Sequence, residues 1–137
     1  MTTIKIVDWS GGKKIIREVP APAVVVTVED VNAEMARRLN ALVADYPSQE
    51  RETFFRQVEQ ARAVLADANA PAPIVRARAE ARGQTVKDMA RRILTLADAL
   101  DDAVAAVMAA RDAIVALDPI PADYASDSRW PERAHNA

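Results

Sequence analysis

The stretch VKDMARRILTLADALDDAVAAVMAARDAIVAL, residues 86–117, decides the fold. Within it Val86, Met89, Ile93, Leu96, Leu100, Ala103, Val107, Ala110, Ile114 and Leu117 follow one another in steps of three and four. That spacing sets their side chains along one narrow face of a helix. No Gly or Pro interrupts the run. At 1.5 Å of rise per residue it predicts a rod roughly 45–50 Å long. Such a rod needs other helices over its apolar seam, either from the same chain or from copies of it.

Outward from this rod, Thr85 and Asp88 form a Thr-x-x-Asp start signal, and Asp118-Pro119 supplies the stop. Upstream, Gly83 is a candidate left-handed cap for a short helix over 74–82, with Pro73 in its first turn. Asp67 to Pro73 reads as a connector. A helix over 49–66, capped by Ser48, presents Phe54, Phe55, Val58, Ala61 and Leu65 inward. Adjacent helical positions point about 100° apart, so one of Phe54 and Phe55 belongs to the core and the other to a third helix or a partner subunit. Another helix starts at Thr27, with Asp30 as its capping-box partner, and ends before Pro47. Its stripe is Val28, Val31, Met35, Leu39, Leu42 and Tyr46.

Residues 2–26 read as strand or extended chain. Ile4, Ile6, Val7 and Trp9 precede Ser10-Gly11-Gly12-Lys13, and Ile15, Ile16 and Val19 follow it. Gly-Gly permits the positive φ angles of a tight hairpin turn. Val24-Val25-Val26 is a candidate further strand. Two readings stand for this segment: an arm that adds strands to a neighbour's sheet, or a hairpin folded on its own helices. Residues 118–137 hold Pro119, Pro121 and Pro131 and are expected to be non-helical. Trp130 is either unstructured or fills a pocket on a neighbour.

The fold expected is mainly α: a helical bundle or hairpin with one long C-terminal helix and a short N-terminal β-hairpin or extended arm. Three parts follow, an arm over 1–26, a helical domain over 27–117 and a Pro-rich tail over 118–137. The candidate interface residues are Ile4, Ile6, Trp9, Ile15, Phe55, Leu96, Leu100, Val107, Ile114, Tyr124 and Trp130.

Composition narrows the function classes. The 137 residues suit one domain, and Ala supplies much of the apolar half while aromatics make up 4%. Helices are therefore expected to approach closely over small side chains. A net charge of −2 with both signs mixed favours neither nucleic acid nor a lipid surface. The absence of Cys removes disulfides, thiolate metal sites and a Cys nucleophile. No apolar segment is long enough to span a membrane. Asp98, Asp101 and Asp102 read as a solvated helix face. His135 stands alone and cannot build a triad or a usual zinc site. Gly11-Gly12-Lys13 lacks P-loop spacing. Neither a catalytic residue nor a cofactor or metal ligand is expected.

Arg76, Arg78, Arg82, Lys87, Arg91 and Arg92 surround Gly83, and Glu80 to Ala90 looks like the first half of a helix-turn-helix. The long helical pattern after it leaves no second turn for a recognition helix. A salt-bridged, solvated surface is the simpler reading.

The segment from Leu42 to Ala113 resembles small proteins encoded near tail-fibre genes in tailed bacteriophages and prophages. The matching features are Tyr46-Pro47, Glu50, Thr53-Phe54, Gln57, Ala61 and Leu65-Ala66-Asp67, then Ala70-Pro71-Ala72-Pro73, Ala81-Arg82-Gly83, Val86, Ala90-Arg91-Arg92-Ile93 and Ala97-Asp98. Members of that group often carry Trp where this chain has Phe54. The resemblance implies a non-enzymatic virion tail protein of the baseplate or fibre attachment, made in the bacterial host cytoplasm. Its partners would be other tail, baseplate or fibre proteins and copies of itself. A tail-fibre assembly chaperone is the alternative, and a DNA-binding regulator a more distant one.

Overall fold

A computed structural model describes residues 3–21 and 25–133. The chain is mostly helical and carries an antiparallel N-terminal hairpin. Its elements are β1 (Thr3–Ser10), β2 (Lys13–Pro20), α1 (Val28–Leu42), α2 (Ser48–Arg51), α3 (Phe54–Ala66), α4 (Pro73–Arg82) and α5 (Val86–Val115). A single 3-10 turn at Asp127–Arg129 follows in the tail. The long helix is thus not the C-terminal segment, because a strap over residues 116–133 continues past it and folds back.

Local chemistry explains most boundaries. Thr27 and Asp30 form the reciprocal capping box: the Asp30 N–H donates to Thr27 Oγ1 at 3.3 Å, and the Thr27 N–H donates to Asp30 Oδ2 at 2.9 Å. The Asp88 N–H donates to Thr85 Oγ1 at 3.0 Å and opens α5. Gly83, at φ 63° and ψ 30°, closes α4. The Gln84 N–H reaches the Ala79 carbonyl and the Gly83 N–H the Glu80 carbonyl, the paired bonds of a Schellman cap. The exposed first turn of α4 receives a cap from another helix, since the Ile74 N–H donates to Gln60 Oε1 on α3 at 2.9 Å.

Five boundaries differ from the sequence expectation; α5, read through Leu117, ends at Val115 and leaves Leu117 exposed. The helix read over 49–66 is two pieces. Thr53 Oγ1 donates to the Glu50 carbonyl at 2.7 Å, and this competing bond breaks the helical ladder between α2 and α3. Ser48 lies inside α2, whose N-cap is Pro47, and makes no capping bond. α1 ends at Leu42, ahead of a turn over 43–46. Val25 and Val26 form no strand; Val24, like His135, lies outside the described residues.

α5 is a spine. α3 and α4 cover its N-terminal half, where Ala61, Val64, Ala72, Val75, Ala79, Met89, Ala90 and Ile93 make one core cluster. Ala at four of these positions lets the helices approach closely. α1 covers the C-terminal half, where Val31, Val107 and Ile114 make a second cluster closed by Trp130. An Arg111 Nε donation to Asn32 Oδ1 at 2.8 Å ties the two helices there. Between the clusters the seam is open. Leu96 is 44% exposed, and Leu100 and Ala103 are half-buried. The expectation of a fully covered seam is therefore corrected: α1 and α3 each cover one end, and neither is long enough to reach the middle.

No helix among the described residues is long and apolar enough to cross a membrane.

Candidate functional site

Two surfaces gather most of the exposed large apolar side chains, with Val25, Val28, Met108 and Leu117 lying elsewhere. The first is the hairpin. Its strands pair Ser10 with Lys13, Asp8 with Ile15, Val7 with Ile16, Ile6 with Arg17, Lys5 with Glu18 and Ile4 with Val19. Gly11 (φ 60°) and Gly12 (φ 78°) form the two-residue turn, near the type I′ geometry that matches strand twist. Every residue of both strands is exposed except Val19, which is half-buried. Ile4, Ile6 and Ile15 share one face with the Arg17–Asp8 ion pair (3.6 Å). Val7, Ile16 and Trp9 share the other. Trp9 is 69% exposed. A two-stranded hairpin is marginal in water by itself, and among the described residues no helix covers either face.

The second surface is a groove of about 510 Å³ over the open part of the seam. Ile93, Leu96 and Leu100 of α5 meet Val58 of α3 there, and Phe54, Tyr46 and Leu42 wall one side. Tyr46 and Phe54 pack edge to face with ring centres 5.2 Å apart. Phe55, one position on, points away from this pair and is 73% exposed at the rim. Of the two Phe residues, Phe54 is thus the inward one. Gln57 is buried, and both ends of its amide are occupied: Nε2 donates to Thr53 Oγ1 at 2.7 Å, and Arg78 Nη1 donates to its Oε1. The groove therefore offers burial for apolar side chains, with carboxylates such as Asp45 and Asp101 at its edge.

The remaining interface candidates fall elsewhere. Val107, Ile114 and Trp130 are buried in the chain's own second cluster, and Tyr124 packs half-buried against it. They face α1 and the strap instead of a neighbour. Trp130 is neither unstructured nor projecting, because its Nε1 donates to the Tyr124 carbonyl at 2.7 Å and its ring completes the α1–α5 core. Sequence reasoning passed over Val7 and Ile16, which are more exposed than Ile6 and Ile15. Their place beside Ile6 and Ile15 in the two strands was the available signal.

One carboxyl departs from its ordinary behaviour. Glu34 of α1 accepts hydrogen bonds from Arg37 (2.6 Å) and Arg38 (2.8 Å). The Arg37 bond is the main cause that holds its pKa below the ordinary 4.5, against a smaller opposing effect of burial and with further help from Arg38. Asp98, Asp101 and Asp102 are exposed along α5. Among the described residues no three acidic or His side chains converge to hold a metal ion. In the basic cluster, Arg76 Nη2 donates to the Ala68 and Ala70 carbonyls, both at 2.8 Å, so it and Arg78 hold the fold. Asp88 lies 4.0 Å from Arg91. No second turn follows Gly83 before α5 has run its full 30 residues.

Compared with known protein families, curated proteins and solved structures, the chain matches none of them.

Proposed function

We propose that this chain is a non-enzymatic structural component of a bacteriophage virion tail, at the baseplate or tail-fibre attachment, and that it works by protein–protein assembly. The observation that carries the assembly part is the hairpin, whose Ile4, Ile6, Trp9 and Ile15 project on two uncovered faces of a ribbon with free edges. An isolated ribbon of this kind gains most when further strands or a packed surface complete it. The helical body is read as a small bundle on which this arm and the Phe55–Leu96 groove are mounted. The tail setting comes from the resemblance over Leu42–Ala113.

The open groove favours a second reading. An assembly chaperone needs an uncovered apolar surface for its client, and Phe55 beside Leu96 would supply one. Mass spectrometry of purified virions separates the two. A stoichiometric amount of this chain in the particle supports the structural reading. Its presence in infected cells and absence from particles supports the chaperone. Absence from both, in cells carrying the corresponding prophage under induction, overturns the phage setting.

A further inference from the structure

The free edge of β2 complements itself. In the type I′ hairpin Ser10 and Lys13 form the hydrogen-bonded pair next to the turn, and bonded and non-bonded pairs then alternate along the ladder. Lys13, Ile15, Arg17 and Val19 therefore direct their backbone groups toward β1. Lys14, Ile16 and Glu18 direct theirs outward, to the unpaired edge. These three lie on one face, in the order base, apolar, acid. Two such edges set antiparallel about a two-fold axis at Ile16 bring Ile16 against the partner's Ile16, Lys14 against the partner's Glu18, and Glu18 against the partner's Lys14.

We infer that β2 is a homodimerisation edge, joining two copies of this chain into a four-stranded antiparallel sheet centred on Ile16. The pairing forms about six backbone hydrogen bonds across the axis. Through the register of β1 and β2 it also aligns Val7, Ile16, the partner's Ile16 and the partner's Val7 as one continuous apolar row. On either side of that row, Lys5, Glu18 and the partner's Lys14 alternate in charge and end on the partner's Trp9. The β1 edge offers less. Its outward residues Lys5, Val7 and Trp9 would set Val7 on itself and Lys5 on Trp9, without an opposite-charge pair. Pairing β2 with the partner's β1 would set Glu18 against the partner's Lys5 but Lys14 against the partner's Trp9, and it does not close. It would repeat a helical body every ~10 Å along a ribbon, about the diameter of one helix. The two-fold arrangement sends the two bodies off opposite ends of the sheet.

The inference stands on the hairpin alone, so it can fail while the virion reading survives, and the reverse. The chain has no Cys, which makes single-cysteine pairing a clean test on the full chain. In the proposed dimer the Ile16 Cα atoms lie about 5.5 Å apart, within disulfide reach. Ile16→Cys is expected to give a covalent dimer under mild oxidation, and Val7→Cys, one strand further out on each side, to remain uncrosslinked. Sedimentation equilibrium adds the charge test. Lys14→Glu and Glu18→Lys alone each set like charges opposite one another at both pairs, and each is expected to weaken self-association roughly tenfold. Mixed in equal amounts, they restore two opposite-charge pairs and are expected to form a heterodimer. Far-UV circular dichroism of each variant checks that the helical body is intact. A wild-type chain that stays at 14.9 kDa at submillimolar concentration overturns the inference. So does crosslinking through Val7→Cys in place of Ile16→Cys, growth into polymers, or a mixture that associates no better than its components.

Discussion

The guanidinium of Arg38 lies 5.2 Å from the centre of the Trp130 ring. It also donates to Glu34 at 2.8 Å, to the Ala125 carbonyl at 3.1 Å and to Asp127 at 2.8 Å. One arginine of α1 therefore fastens the strap that would otherwise trail from α5, and the strap carries the tryptophan that closes the second core cluster. A cation over an indole face is worth about 0.5–2 kcal/mol depending on its desolvation. The buried ring itself contributes more.

Trp130→Ala is accordingly expected to cost about 3–5 kcal/mol in urea unfolding. Trp130→Phe keeps a ring but loses the Nε1 bond to the Tyr124 carbonyl, so it should fall well short of that loss. Equal stability of Trp130→Ala and wild type would mean that the strap does not close the core.

The covered and open parts of the α5 seam should respond differently to substitution. Met89 is fully buried, and Met89→Ala is expected to lower stability by about 2–5 kcal/mol. Leu96→Asp, at a position 44% exposed, should cost less than about 1 kcal/mol in the isolated chain. Thermal melts of the two variants read the contrast, and an unfolded Leu96→Asp would show that the middle of the seam is covered in solution.

Glu34 gives an acid-side signature. Its folded pKa lies below its unfolded value, so the carboxylate stabilises the fold fully above the unfolded value. That stabilisation is lost as pH falls below the ordinary 4.5 and through the folded pKa. Glu34→Gln should therefore be less stable than wild type near neutrality, and the difference should shrink on acidification. Urea midpoints measured across the acid range test this; a constant gap would sink it.

Gly83 isolates a backbone effect. A Cβ built there meets nothing within 4 Å, yet φ is +63°. Gly83→Ala should cost about 1–2 kcal/mol from conformational strain alone. Gly83→Asn should cost less, since Asn tolerates that region better. Chemical denaturation ranks the three.

Features set by neighbouring residues were legible in the sequence. Thr27 with Asp30, Thr85 with Asp88, Gly83, and Gly11-Gly12 each act within a few positions, and each predicted element is present where they stand. The break at Thr53 was not legible, because a hydroxyl bond to Glu50 competes with a ladder that the pattern of Phe54, Val58 and Ala61 makes look continuous. Non-local packing was harder still. Periodicity marked Leu96 and Val107 alike as seam, but only the positions of α1 and α3 along the rod decide that Val107 is buried and Leu96 open. Trp130 sits among prolines in a segment without periodicity, so nothing local tells that its pocket belongs to α1 and α5 of its own chain. The hairpin candidates Ile4, Ile6, Trp9 and Ile15 were visible from the alternation around Gly11-Gly12. Their exposure on both faces followed only once the helices were found to cover neither.

Because Trp130 is the last piece of the α1–α5 cluster, the two halves of the spine cannot mature together during translation. The α3–α4 half holds every member of its own cluster by Ile93. The other half must wait, with Val31 and Ile114 unsealed, until Trp130 has emerged from the ribosome and docked. A chain stalled or truncated ahead of that residue would display a finished half beside a sticky one, an obvious target for proteolytic quality control.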